Sequence, residues 1–173
     1  MSLVDFDELP DSARLWAFGS DRSPSPTETA HLLDRMESFL EEWTAHDRSL
    51  RAGFDWREHR FLLIGLDESA GDASGCSIDA LHGQIRSLEE ELGTTMLNGG
   101  KVWLQDSRGR IRSLDRPAFR RLAEAGEVGP GTVVFDLTVD RLSDVREGRW
   151  RRPAGEGWHA ELLPDEDEGR ERA

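Results

Sequence analysis

The 173-residue sequence predicts an α+β fold: a ferredoxin-like βαββαβ core followed by a C-terminal α/β extension. Three observations carry this. Apolar residues recur with helical spacing in two separate stretches. Between and around these stretches lie short runs with strand character. The most apolar of those runs are the first and third strands, which form the central pair of that topology.

"ARLWAFG" (13–19) is a nearly continuous apolar run between Pro10 and the Gly19-Ser20 pair, as a buried strand requires. Ser25, Pro26 and Glu28 then supply an N-cap, a first-turn proline and the carboxylate of a capping box. The helix they start carries Leu32, Leu33, Met36, Phe39, Leu40 and Trp43 on one stripe and ends near His46. "LRAGFDWRE" alternates Leu50, Ala52, Phe54 and Trp56 with Arg51, Gly53, Asp55 and Arg57, the pattern of an edge strand with one wet face. The short Glu58-His59 link predicts a hairpin into "RFLLIGLDE", whose unbroken apolar run marks a central strand.

A second helix follows "ESAGDASG". Ile78, Leu81, Ile85, Leu88 and Leu92 form its apolar stripe, and Gly93 its C-terminal stop. "KVWLQ" completes the six-element core. Beyond it, "DSRG" turns the chain into "RIRSL", Asp115 caps a helix with Pro117 in its first turn, and Gly126 ends it. "TVVFDLTV" (132–139) reads as a further strand and "RLSDVREGRW" as a short helix. The domain boundaries expected on this basis are a core over 11–106, an extension over 107–163 packed on that core, and a disordered acidic tail over 164–173.

Composition narrows the functional classes. A net charge of -13 and a pI near 4.8 repel phosphate backbones, so no nucleic-acid partner is expected. No segment has the length and apolarity of a membrane span, and the acidic N-terminus lacks the basic and apolar regions of a leader. With a single cysteine there is neither a disulfide framework nor a CxxC metal knuckle. The expectation is a soluble, cytoplasmic protein with no metal and no cofactor. All but one of the 22 cationic residues are arginine, the exception being Lys101.

Cys76 stands where a glycine-containing loop becomes the second helix. There the free amides and the positive dipole end favour a thiolate. A catalytic reading makes Cys76 the nucleophile, one of His46, His59, His82 and His159 its base, with His46 the first choice, and Asp79 an acid in the first helical turn. The opposing reading is a small buried residue, because unmodified cysteine is among the most buried residue types and nearby Asp72 and Asp79 disfavour a thiolate. Trp16, Trp43, Trp56 and Trp103 fall on faces that enter the core. Trp150, Trp158 and His159 lie outside the regular pattern, and either form a binding surface or clamp the C-terminal stretch to the body. Arg108, Arg110 and Arg112 alternate on the expected hairpin and share one face, as charges guarding a sheet edge also would.

"LWAFGSDR", "FLEEWTAH", "ASGCSID", "TVVFDLTV" and "GWHAELL" resemble an uncharacterised bacterial family whose members often carry the label ABC transporter ATPase. The resemblance spans most of residues 9–163. It implies a small intracellular family without an established activity. The label itself conflicts with the residues. A phosphate-binding loop needs GxxxxGK followed by Ser or Thr, whereas Lys101 is followed by Val102 and Thr95 stands where the first glycine belongs. Nucleotide hydrolysis of that type is rejected. Residues 103–150 are also similar to GYF-related modules, in which a helix crosses a short sheet; that likeness implies binding of proline-rich peptides. The Gly-Pro pair such modules carry on the second strand is missing, and Gly129-Pro130 lies elsewhere.

With no paired carboxylates, metal cluster or phosphate loop in evidence, the sequence predicts noncatalytic recognition of a protein or small ligand. The alternative is a cysteine-dependent enzyme built on Cys76.

Overall fold

The computed structural model describes residues 3–97 and 99–165. The expected acidic tail falls, from residue 166 on, outside the described residues. The chain forms β1 (Arg14–Gly19), α1 (Pro26–Glu42), β2 (Thr44–Ala45), β3 (Arg48–Ser49), β4 (Ala52–Arg57), β5 (Phe61–Leu66) and α2 (Gly75–Leu92). There follow β6 (Val102–Gln105), β7 (Ile111–Leu114), α3 (Arg116–Glu124), β8 (Val133–Phe135), α4 (Leu142–Arg146) and β9 (Arg151–Pro153). Two units result: Met1–Asn98 with Leu137–Glu147, and Gly99–Asp136 with Gly148–Ala173. Helices and small antiparallel sheets are mixed in both, so the fold is α+β. None of the described helices is long and apolar enough to cross a membrane.

In the first unit β5 is the middle strand of an antiparallel sheet ordered β1-β5-β4. All six of its residues are buried, as its unbroken apolar run requires. Leu62, Ile64 and Leu66 face a core shared with Leu32, Met36 and Leu40 of α1 and Leu81, Ile85 and Leu88 of α2. Both helices start and stop where their local chemistry dictates. Ser25 and Glu28 close a complete capping box on α1, and Gly93 takes the left-handed conformation (φ 61°) after α2. Glu28 also receives both Nη atoms of Arg22, at 2.8 and 2.9 Å. The Arg22 guanidinium and the Ser25 amide hold its carboxyl down at about 2.

The expected wet face of β4 is not wet. Residues 3–9 run across it, with Val4 N–H bonded to Ala52 O and Phe6 and Leu9 buried. Gly53 and Gly65, paired across β4 and β5, form the floor on which this segment lies. A Cβ at Gly53 would stand 2.6 Å from the Val4 carbonyl oxygen, whereas one at Gly65 would meet the tip of the Leu9 side chain. Gly53→Ala is therefore expected to lower stability by about 1–3 kcal/mol, and Gly65→Ala by less, because a side chain yields more readily than a backbone. Thermal melts of the two variants test this; equal losses would count against the packing argument.

The largest departure concerns Val102–Gln105, expected as the fourth strand of the first sheet. It pairs instead with β7 and β8 in a second sheet, ordered β7-β6-β8-β9, and so lies in the second unit, not in a core ending at 106. The reason is local. Asp106 accepts the amides of Arg108 and Arg110, both at 2.9 Å, and Gly109 has φ 78°, which closes a tight hairpin onto β7 before any distant strand competes. "TVVFDLTV" also divides: Val133–Phe135 is strand, while 137–147 returns to the first unit, where Leu15 N–H bonds Asp140 O beside β1. The second unit has its own core of Val102, Leu104, Phe119, Val134, Ala154 and Leu162.

Candidate functional site

Cys76 is the second residue of α2 and its thiol is free and exposed, contrary to the expectation of a small buried residue. Ser77 takes the buried place. Its N–H bonds the Ser74 cap at 3.1 Å, its hydroxyl bonds Ser74 O at 2.8 Å, and its carbonyl accepts Trp43 Nε1 at 2.8 Å. With Ser77 turned inward, Cys76 faces outward by the 3.6-residue period. His46 sits in an unpredicted two-residue turn between β2 and β3, at φ 51°. Cys76 and His46 both line a cleft of about 430 Å³ whose apolar walls include Phe39 and Trp43. No hydrogen bond joins the two side chains. Asp79 is exposed and lies outside the cleft, so the structure does not bring the three proposed catalytic residues together.

The second unit places Trp150 and His159 in its interior, at 4% and 0% exposure. Neither presents a binding surface; only Trp158 is half-buried. The Trp150 ring lies 5.2 Å from that of Phe135. Asp136, just past β8 and 2% exposed, organises the rest. It accepts Arg152 Nη2 at 2.7 Å on one oxygen and Trp158 Nε1 at 3.2 Å on the other. A Cβ at Gly157 would come within 2.8 Å of Arg152 Nε, so glycine there lets the guanidinium pass. His159 stacks on Trp158 at 3.9 Å between ring centroids, and neither of its nitrogens has a hydrogen-bond partner. Burial pushes its pKa down to about 4, helped by the positive charges of Arg152 and Arg116 and opposed by Asp136. These residues clamp the C-terminal stretch onto the second unit. Sequence reading missed Asp136, hidden inside what looked like an uninterrupted strand.

An open groove of about 940 Å³ lies between the β6–β7 hairpin, Leu122 of α3 and the 127–133 segment. Arg112 is paired across the sheet with Leu104, so both side chains leave the same face, with Leu104 in the core and Arg112 at the open margin. Arg110 is tied to Asp106 at 3.1 Å. Among the described residues, the guanidinium groups of Arg108 and Arg112 have no ion-pair or hydrogen-bond partner, and both arginines are exposed. Glu127 also lines the groove and pairs with neither. The alternation of these arginines was visible in the sequence; that they border a groove was not. Among the described residues, no three His, Cys, Asp or Glu side chains converge as a metal site.

Comparison with protein-family models, curated proteins and solved structures yields no significant match for this chain.

Proposed function

We propose that the chain is a noncatalytic recognition protein whose ligand, a protein segment or small molecule, occupies the groove of the second unit. The observation that carries this reading is the pair of guanidinium groups, Arg108 and Arg112, unengaged among the described residues, at the margin of a groove whose half-buried apolar residues include Leu122 and Val128. Such a combination of apolar base and directional donors is what orients a ligand. The antiparallel order β1-β5-β4 with α1 and α2 packed on it supports, with the short β2–β3 hairpin set aside, reading the first unit as a ferredoxin-like plait without its fourth strand, an argument by fold analogy alone. The likeness to a family labelled ABC transporter ATPase adds no hydrolytic activity to this reading, since the phosphate-loop residues are missing.

Gly131 offers a clean test. It lines the groove, and nothing lies within 4 Å of a Cβ built there, so Gly131→Trp should fill the groove without disturbing the fold. A mixed fragment library screened by ligand-observed NMR is expected to give binders to the native chain that Gly131→Trp no longer binds. No binder at all, or binders indifferent to the tryptophan, would overturn the reading.

A second reading, a cysteine-dependent enzyme, is favoured by the placing of Cys76 and His46 on one cleft. Under the noncatalytic reading the exposed thiol alkylates with iodoacetamide in the folded state at about the rate of an unactivated thiol. A rate about tenfold or more higher that falls in His46→Ala would instead establish activation by that histidine.

A further inference from the structure

We infer that the partner of the second-unit groove is an acidic polypeptide segment in which two carboxylate side chains flank an apolar one. This rests on the proposal that the groove is a ligand site and names the chemistry that would fill it.

The charge distribution points to this partner. The chain carries -13 overall, yet the groove collects Arg108, Arg110 and Arg112 against Asp106 and Glu127. Asp106 is occupied by Arg110 and by two backbone amides, with the Arg110 amide foremost in holding its carboxyl below the usual range. It is therefore unavailable to the other two arginines. Arg108 and Arg112 thus keep planar donor sets free, and a guanidinium matches a carboxylate in a bidentate pair. The net negative charge does not prevent this, because at physiological salt charges more than roughly 8 Å away are largely screened.

The floor of the groove decides between anions. Leu122, Val128 and Val133, each half-buried, contribute apolar surface that a bare phosphate cannot cover but an aliphatic or aromatic side chain can. An oligonucleotide, moreover, carries its charge along its whole backbone and so beyond the two arginines that would pair with it. A peptide supplies both components within a few residues. One apolar side chain seats on the floor, and acidic neighbours on either side reach the two arginines on the hairpin.

The test is selection of random displayed peptides of about a dozen residues on the full-length protein, followed by affinity measurement on the native chain, on Arg108→Ala/Arg112→Ala and on Gly131→Trp. The expected result is enrichment of peptides with two or more Asp or Glu around an apolar residue. Their binding should weaken about tenfold or more in the double alanine variant and weaken with rising salt on the native chain. Peptides that Gly131→Trp displaces but that are not acidic, or that bind the double variant unchanged, would overturn this inference and leave the groove a ligand site. Peptides indifferent to Gly131→Trp, or none at all, would overturn both. A single-stranded oligonucleotide that binds the native chain more tightly than the selected peptides, and loses binding in the double variant, would overturn the choice of partner. Arginines that merely guard the sheet edge would show themselves by aggregation of the double variant with peptide binding intact.

Discussion

Asp136→Ala is expected to destabilise the protein by about 3–5 kcal/mol, the usual cost of removing one member of a buried ion pair. The carboxylate is 2% exposed, and its loss strands two donors at once. Arg152 Nη2 loses its 2.7 Å partner and Trp158 Nε1 its 3.2 Å partner, and the Arg152 side chain is only 18% exposed. Water therefore replaces the lost carboxylate poorly. Urea titration by circular dichroism measures the effect. Replacing Arg152 by methionine in the same background should restore part of the loss, because the stranded charge is then gone. A loss in Asp136→Ala below about 1 kcal/mol, or no recovery in the double variant, would show that the pair does not hold the C-terminal stretch.

The second large effect is acid lability from His159. Its pKa falls from 6.5 to about 4 on folding, so the folded state resists a proton that the unfolded chain accepts. Stability from this group is complete above pH 6.5, declines as pH falls through the window from 6.5 to 4, and is fully lost below it. At about 1.4 kcal/mol per pH unit the loss amounts to roughly 3 kcal/mol. The groups facing the ring set the direction: the stacked Trp158 contributes burial, Arg152 on β9 and Arg116 on α3 oppose the imidazolium, and Asp136 favours it. The carboxyls held low, Glu28, Asp21, Asp67 and Asp106, begin to lose their contributions only near their unfolded values at the acid end of this window, so its upper part, from 6.5 to about 5, belongs to histidine. Urea midpoints measured between pH 7.5 and 4.5 should fall in the native chain and be nearly flat in His159→Phe, with His159→Leu as the smaller substitute if phenylalanine overpacks. An unchanged slope in both variants would rule His159 out as the titrating group.

Several site features were legible before the fold. The Ser25–Glu28 capping box, the Gly93 stop and the Glu58-His59 hairpin are contained in a few adjacent residues, and their energetics are local. The alternation of Arg108, Arg110 and Arg112 was equally visible, but only Arg112 stands on β7, while Arg108 and Arg110 belong to the turn that precedes it. Cys76 was not legible. A helix start exposes one of two adjacent small residues and buries the other, and only the 2.8 Å bond from Trp43 to the Ser77 carbonyl, formed across 34 positions, selects Ser77. Gly53 looked like a wet-face residue until residues 3–9 were found lying over it. His159 read as an accessible aromatic neighbour of Trp158, since nothing in "GEGWHAELL" tells that its ring is fully buried with Asp136, Arg152 and Arg116 around it.

The sequence by itself determined the three longer helices with their caps and the strands of the first sheet, and it contains no GxxxxGK-Ser/Thr phosphate loop and no CxxC pair. These properties depend on residues a few positions apart. Only the tertiary structure decided that Val102–Gln105 leaves the first sheet for the second, that 137–147 returns beside β1, and that Trp150 and His159 are buried while Arg108 and Arg112 are exposed. Apolar strands are nearly interchangeable as partners in pattern alone. The choice among them rests on hairpin closure and on burial summed over distant residues, quantities that a one-dimensional pattern does not contain.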